Sequence, residues 1–332
     1  MSRFADLVDK DRLAQALGTP EDQLNEYADH SYQVSFYEVI GIPKRGAKRK
    51  GQHRVVHSAN EAWLGELHKK IAMLVNANAQ FSACVTGFVP GGSIKKNAEP
   101  HSRARVVLHA DLKDFFDNIT MEQVQRAFRS LGATESISVL LARLSTIDGY
   151  LLQGTRCSPA IANVVCRELD ADLLTLASTT GSVYTRYADN LTLSGDRVPA
   201  ATDVERFVND RGFALREACT EQRRGRRQFV TGLAVSDAKP RLPRKLKQQM
   251  RLVLHFVAKH GVDAHLERLK TRFKSPYPGT EAGIEGMLRF MHSIEPKVAR
   301  LLRVKFDKGV AISEALRAEE EGEGGDGDHD ED

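Results

Sequence analysis

Residues 183–195, VYTRYADNLTLSG, constrain this chain more than any other stretch. Two short runs flank a polar Ala188-Asp189-Asn190 turn, and such a pattern predicts a tight β-hairpin. Tyr184, Arg186 and Ala188 fall on one side. Val183, Thr185, Tyr187, Leu191 and Leu193 are apolar enough for the other side to face a core. Asp and Asn both tolerate positive φ, so the turn has ordinary turn chemistry. It also carries an acid on a rigid tip. A second acid, Asp111, closes the apolar run RVVLHADL at 105–112, which reads as a strand. Two carboxylates at strand ends suit Mg²⁺, a hard cation bound through one or two carboxylates, waters and substrate phosphates.

The remaining pattern is mixed. Thr19-Pro20-Glu21-Asp22 starts a short polar helix, with acids at the positive end of its dipole. Residues 34–57 read as short strands around a basic loop broken by Gly46 and Gly51. Residues 61–75 have helical spacing, with Trp63, Leu67, Ile71 and Leu74 toward a core. Residues 87–101 form a glycine-rich loop and a polar segment. Thr120 with Gln123 makes a capping box for a helix to about Leu131. Ser158-Pro159 starts a helix running to about Ala177, and residues 226–235 read as a strand or hairpin. From Pro243 the spacing is helical, in segments near 243–260, 263–275, 280–294 and 296–317. The expected fold class is α+β: a mixed body followed by an all-helical unit.

Charge points to a partner. The chain of 332 residues has a net charge of +4, but its last fourteen, EEEGEGGDGDHDED, hold nine acids and no Lys or Arg. The preceding chain is therefore +13. Its basic runs are KRGAKRKGQHR (44–54), RRGRR (223–227) and KPRLPRKLKQQMR (239–251). Such a body suits nucleic acid, and the acidic tail is expected to be disordered. No run of about 18 apolar residues and no apolar leader core is present, so no membrane partner is expected. Cys84, Cys157, Cys166 and Cys219 form no C-x-x-C pair, which reads as reduced thiols in a cytoplasm.

Several motifs in order resemble the reverse transcriptases of bacterial group II introns and retrons. HADLKDFFDNI (109–119) is similar to that family's motif A, QGTRCSPAIAN (153–163) to motif B, and YADN (187–190) to motif C, usually Y-x-D-D. IPK…R (42–54) is similar to its fingers segment. NAEPH (97–101) and VTG (230–232) point to retrons within it. The resemblance covers about residues 34–251 and implies a right-hand polymerase fold. The implied parts are an N-terminal helical segment (1–33), fingers (34–104), a palm with an antiparallel sheet (105–236), a helical thumb (237–317) and the tail (318–332).

The resemblance also implies roles. Asp111, Asp189 and the Leu112 carbonyl would hold two Mg²⁺ ions, or Mn²⁺, with Asn190 beside them in the catalytic set. Lys48, Arg49, Arg54, Gln153 and Gly154 would bind the deoxynucleoside triphosphate, and Phe116 would exclude a 2′-hydroxyl, with Phe115 pointing elsewhere. Val230, Thr231, Gly232, Arg241, Arg244, Lys245 and Arg251 would contact RNA. The implied activity is RNA-directed DNA synthesis on a cognate structured non-coding RNA, with an effector protein as a further partner in anti-phage defence. Two departures stand out. Asn190 replaces the second motif C acid, and Cys219 stands where motif D usually has Lys, with Arg216 as a cationic stand-in nearby.

Overall fold

The computed structural model describes residues 3–29, 33–43, 51, 53–272 and 279–323. The chain forms two compact units, Met1–Thr231 and Gly232–Asp332, divided inside the VTG triplet.

The first unit begins with two short helices, α1 (Lys10–Leu17) and α2 (Glu21–Ala28), where the sequence pattern predicts one. Leu13, Leu17, Leu24 and Tyr27 bury their side chains in the core of this unit. A hairpin follows, β1 (Tyr37–Pro43) and β2 (His53–Ala59), pairing antiparallel with Ile42 opposite Arg54. Val39, Ile42 and Val55 on it are exposed. Helix α3 (Ala62–Asn78) buries Leu64, Leu67, Ile71, Leu74 and Val75, an i, i+3, i+4 stripe. Trp63 packs edge-on against Tyr27, with ring centroids 5.9 Å apart. Helix α4 (Ile94–Ala98) leads to strand β3 (Val106–Asp111).

Beyond β3 come α5 (Met121–Ser130), α6 (Glu135–Ser145), the two-residue strands β4 (Thr146–Ile147) and β5 (Tyr150–Leu151), then α7 (Ser158–Val165) and α8 (Arg167–Thr180). The expected capping box on α5 is present in both directions. The single helix expected from Ser158 is two, separated at Cys166. Strands β6 (Val183–Tyr187) and β7 (Asn190–Gly195), helix α9 (Ala201–Asp210), β8 (Thr220–Arg223) and β9 (Phe229–Val230) complete the unit. The central sheet has the order β6-β7-β3-β8, antiparallel throughout, so the motif A strand lies between the motif C hairpin and β8.

The hairpin corrects one expectation. Its Tyr184–Arg186 side is not the solvent side: Tyr184 and Arg186 are buried, as are Thr185, Leu191, Thr192, Leu193 and Ser194, whereas Val183 is exposed. Helix α8 covers that side, and a charged residue can lie there because its partners are built in.

The second unit begins with β10 (Leu233–Ala234) and continues as α10 (Arg244–His260), α11 (Val262–Arg272), α12 (Glu281–Ile294) and α13 (Pro296–Glu323). Met250, Leu254 and Val257 form the buried stripe of α10. Gly309 on α13 allows a close helix crossing, because a Cβ there would lie 2.4 Å from Val257 Cγ1. Helix α13 runs to Glu323, past the expected start of the disordered tail, and residues 324–332 lie outside the described residues.

Candidate active site

The strand ends bring the two acids together. Asp111 lies opposite Asn190 in the β3–β7 register, and the Leu112 amide donates to the Asp189 carbonyl at 2.9 Å. The turn has two residues, Ala188 and Asp189, because Tyr187 already pairs with Asn190. The positive φ falls on Ala188, at 57°, and not on the Asp or Asn that suggested turn chemistry.

Neighbours determine that backbone. Gly87 packs so closely that a Cβ on it would lie 2.5 Å from the Ala188 nitrogen. The guanidinium of Arg186 is completely buried and donates to both carboxylate oxygens of Asp170, at 2.8 and 2.7 Å. It donates as well to Asn163 Oδ1 at 2.9 Å and to the Ala188 carbonyl at 3.3 Å. Tyr184 donates its hydroxyl to Asp170, and the Asn163 amide donates to the Gly87 carbonyl. A buried ion pair is tolerable when such bonds satisfy the remaining lone pairs and protons. The Asn that ends motif B thus ties the glycine-rich loop to the motif C turn.

Arg216 sits over the acids. Its guanidinium lies 3.1 Å from Asp111 Oδ1 and 3.9 Å from Asp189 Oδ2, and it donates to the Leu112 carbonyl at 3.4 Å. Asn190 is exposed and donates its side-chain amide to Asp189 Oδ1 at 2.9 Å, which makes it a hydrogen-bond partner of that acid. Cys219 lies elsewhere, with its thiol toward the Ala201 carbonyl and burial raising its pKa.

A cleft of about 370 Å³ adjoins the acids, lined among others by Arg54, Phe88, Phe116, Gln153, Asp189 and Arg216. It gathers residues from the fingers segment and motifs A, B and C. Phe115 is buried and packs on Phe213, whereas Phe116 lines the cleft. Phe88 was missed. It has φ 59° and lies against Phe116, with ring centroids 6.2 Å apart. An aromatic in the left-handed region is uncommon, but φ leaves no mark in a residue pattern. Gly154 has φ 111°, and a Cβ on it would meet the His57 carbonyl at 2.7 Å. The Gln153 carbonyl accepts from the His57 amide at 2.8 Å, so the motif B turn docks on β2, which carries Arg54. Lys48 and Arg49 lie outside the described residues.

The expected RNA contacts divide. Val230 is fully buried, which removes its side chain from any RNA surface. Thr231 has φ 45° and donates to the Ile94 carbonyl while accepting from Asn97, itself buried and bonded to Thr86. The two retron-type motifs therefore hold each other. Gly232 has φ 82° with open space around its Cβ position, so conformation and not close protein approach explains the glycine. Arg241 is committed to Glu295 at 3.2 Å. Arg244, Lys245 and Arg251 are exposed on α10.

Two carboxylates and a backbone carbonyl lie within reach of one guanidinium, and they are the kind of hard oxygen donors that Mg²⁺ prefers. Among the described residues no group of three or more His, Cys, Asp or Glu side chains is placed to hold a metal. The same residues contain no helix long and apolar enough to cross a membrane.

Residues 42–225 match the family model "Reverse transcriptase (RNA-dependent DNA polymerase)". The chain is 34% identical to the retron Mx65 reverse transcriptase of Myxococcus xanthus, over 90% of this chain and 71% of that protein. It is 32% identical to the retron Mx162 enzyme of the same organism, over 90% of this chain and 66% of that protein. It is 34% identical to the retron Ec86 reverse transcriptase of Escherichia coli, over 82% of this chain and 81% of that protein. With the polymerase motifs gathered at one sheet end, the chain belongs to the retron-type reverse transcriptases, RNA-directed DNA polymerases of right-hand fold.

Proposed function

We propose that the protein reverse-transcribes a cognate structured RNA by two-metal nucleotidyl transfer, with Asp111, Asp189 and the Leu112 carbonyl as the metal-holding groups. The observation that carries this reading is the meeting of those three oxygen donors at the mouth of a cleft lined by Arg54, Gln153 and Phe116. Bound divalent metal would supply Lewis-acid activation of a primer hydroxyl and charge neutralisation on the departing pyrophosphate. The protein's own part is positioning, which supplies much of the rate in phosphoryl transfer. Arg54, which lines the cleft, would face the triphosphate; the same role for Lys48 and Arg49 rests on the resemblance alone. Gln153 lines the nucleotide, and Phe116 closes the space a 2′-hydroxyl would need.

The exposed Arg244, Lys245 and Arg251 support RNA binding by the second unit. Arg244 and Lys245 stand in the first turn of α10, which has no acid, at the positive end of the helix dipole. Cations there cost stability, and bound phosphate would offset that cost. Selection of one RNA needs shape or single-stranded contacts beyond such phosphate binding. We extend the proposal, on the motif resemblance alone, to production of a retron RNA–DNA molecule in the cytoplasm and to an effector protein in anti-phage defence.

Asn190 and Cys219 favour a second reading, an RNA-binding scaffold with little synthesis. One experiment separates the two. Asp111→Ala and Asp189→Ala should each abolish Mg²⁺-dependent primer extension while the purified protein keeps its co-purifying RNA. Extension that survives either change refutes the metal assignment, and a wild type without extension establishes the scaffold.

A further inference from the structure

We infer that Arg216 is a built-in counter-ion of the metal site, which metal must displace and which then serves the phosphates of the incoming nucleotide. This rests on the proposed metal-holding role of Asp111 and Asp189. The three groups assigned to metal are the three that Arg216 touches: Asp111 at 3.1 Å, Asp189 at 3.9 Å and the Leu112 carbonyl at 3.4 Å. The carboxylates have lone pairs to spare, but a guanidinium seated among the same three groups takes up the space a metal would need, and like charges at that distance repel.

The backbone makes the exchange local. Residues 214–216 run along the end of β3: the Lys113 amide donates to the Ala214 carbonyl, Leu112 bridges Leu215, and the Arg216 amide donates to the Asp111 carbonyl at 2.8 Å. The main chain of Arg216 is thereby anchored to the acid it neutralises, and only its long side chain has to move. That side chain already lines the cleft that holds Arg54 and Gln153. When it releases the acids it remains beside the space expected for the triphosphate, where a planar guanidinium suits phosphate oxygens.

The device also answers the departures of this site. Cys219 supplies no ammonium and points to the Ala201 carbonyl, away from the acids. Arg216 is the cation there, and a guanidinium acts as a charge partner and not as a proton donor. It is a positioning residue for the acids before metal enters.

The test is direct binding of Mn²⁺ to the nucleotide-free full chain, followed by the magnetic resonance signal of free Mn²⁺. Arg216→Gln should bind Mn²⁺ about fivefold more tightly than wild type, the range expected for losing one partly exposed ion pair. Arg216→Lys, too short to span both acids, should fall between. In EDTA the Gln variant should melt earlier than wild type and gain more from added Mg²⁺. With saturating metal, pyrophosphate should inhibit Arg216→Gln less than wild type. If either folded variant binds Mn²⁺ no more tightly than wild type, the inference is overturned. Asp111→Asn separates this failure from that of the proposed function. If it too binds Mn²⁺ like wild type, the metal site itself is wrong. If it loses Mn²⁺, only the role of Arg216 falls.

Discussion

Neighbouring aromatics in motif A have opposite fates, decided by which way each side chain points. Phe115 belongs to the core, and Phe116 forms the cleft wall with Phe88 beside it. Phe116→Ala should raise ribonucleotide incorporation relative to deoxynucleotide by about ten- to a hundredfold, since a shape-based pocket discriminates by a few kcal/mol at most. Phe115→Ala should cost about 3 kcal/mol of stability and leave the ratio unchanged. Competitive single-nucleotide incorporation and urea unfolding distinguish them. His101 is equally particular. It lies buried between Ser194 Oγ at 2.6 Å and Thr185 Oγ1 at 2.7 Å, and burial, with His109 nearby, lowers its pKa to about 4. Burial does the same to His68, also to about 4. Both values lie below the ordinary value near 6.5, so between the two pH values the unfolded chain binds more protons than the folded one. Stability is therefore fully present above about pH 6.5 and falls as pH drops toward 4. The slope of unfolding free energy against pH in that window should be shallower in His101→Asn; an unchanged slope removes His101 from this effect.

The motif C hairpin shows how an element acquires rigidity. Its turn chemistry is weak, with alanine at positive φ, and the strength comes from the buried Arg186–Asp170 pair behind it. Asp170→Ala leaves the guanidinium buried without its carboxylate and should cost about 3–5 kcal/mol. Replacing both, as Arg186→Met with Asp170→Leu, should recover much of that stability. It should not recover synthesis, because the bonds to Asn163 and the Ala188 carbonyl are gone as well. Denaturant unfolding and primer extension on the same samples give both quantities. If the double variant polymerises like wild type, the Arg186 network is structural only.

Across the whole molecule, charge divides the work. The chain before the tail carries +13, and Arg244, Lys245 and Arg251 of α10 are exposed among its cations. Arg244→Glu with Lys245→Glu should lower RNA affinity and flatten its dependence on the logarithm of salt concentration by about 1.5, two phosphate contacts' worth. Binding isotherms at several salt concentrations measure this, and an unchanged slope places the RNA elsewhere. Arg241 should matter less for RNA and more for stability, since its partner Glu295 also accepts from the Leu242 amide and from Lys247.

What the sequence determined by itself was whatever rests on local chemistry. The Thr120–Gln123 capping box, the strand ending in Asp111, the hairpin at 183–195, the helical spacing after Pro243 and the order of the motifs all report their own neighbourhood. Even so, α6 and α9 were not read, and the tail helix was read short, because brief amphipathic runs and polar helix ends carry weak periodicity. Tertiary structure alone decided the partners. Hydrophobic period identifies an apolar face, but a buried charge satisfied by distant groups leaves no such mark, so the pattern left Arg186 outside the expected core face. The same holds for Arg216 over Asp111, for Asn97 with Thr231, and for Gly87 under Ala188. Each pair is far apart in sequence, and only the packing of one surface on another selects it.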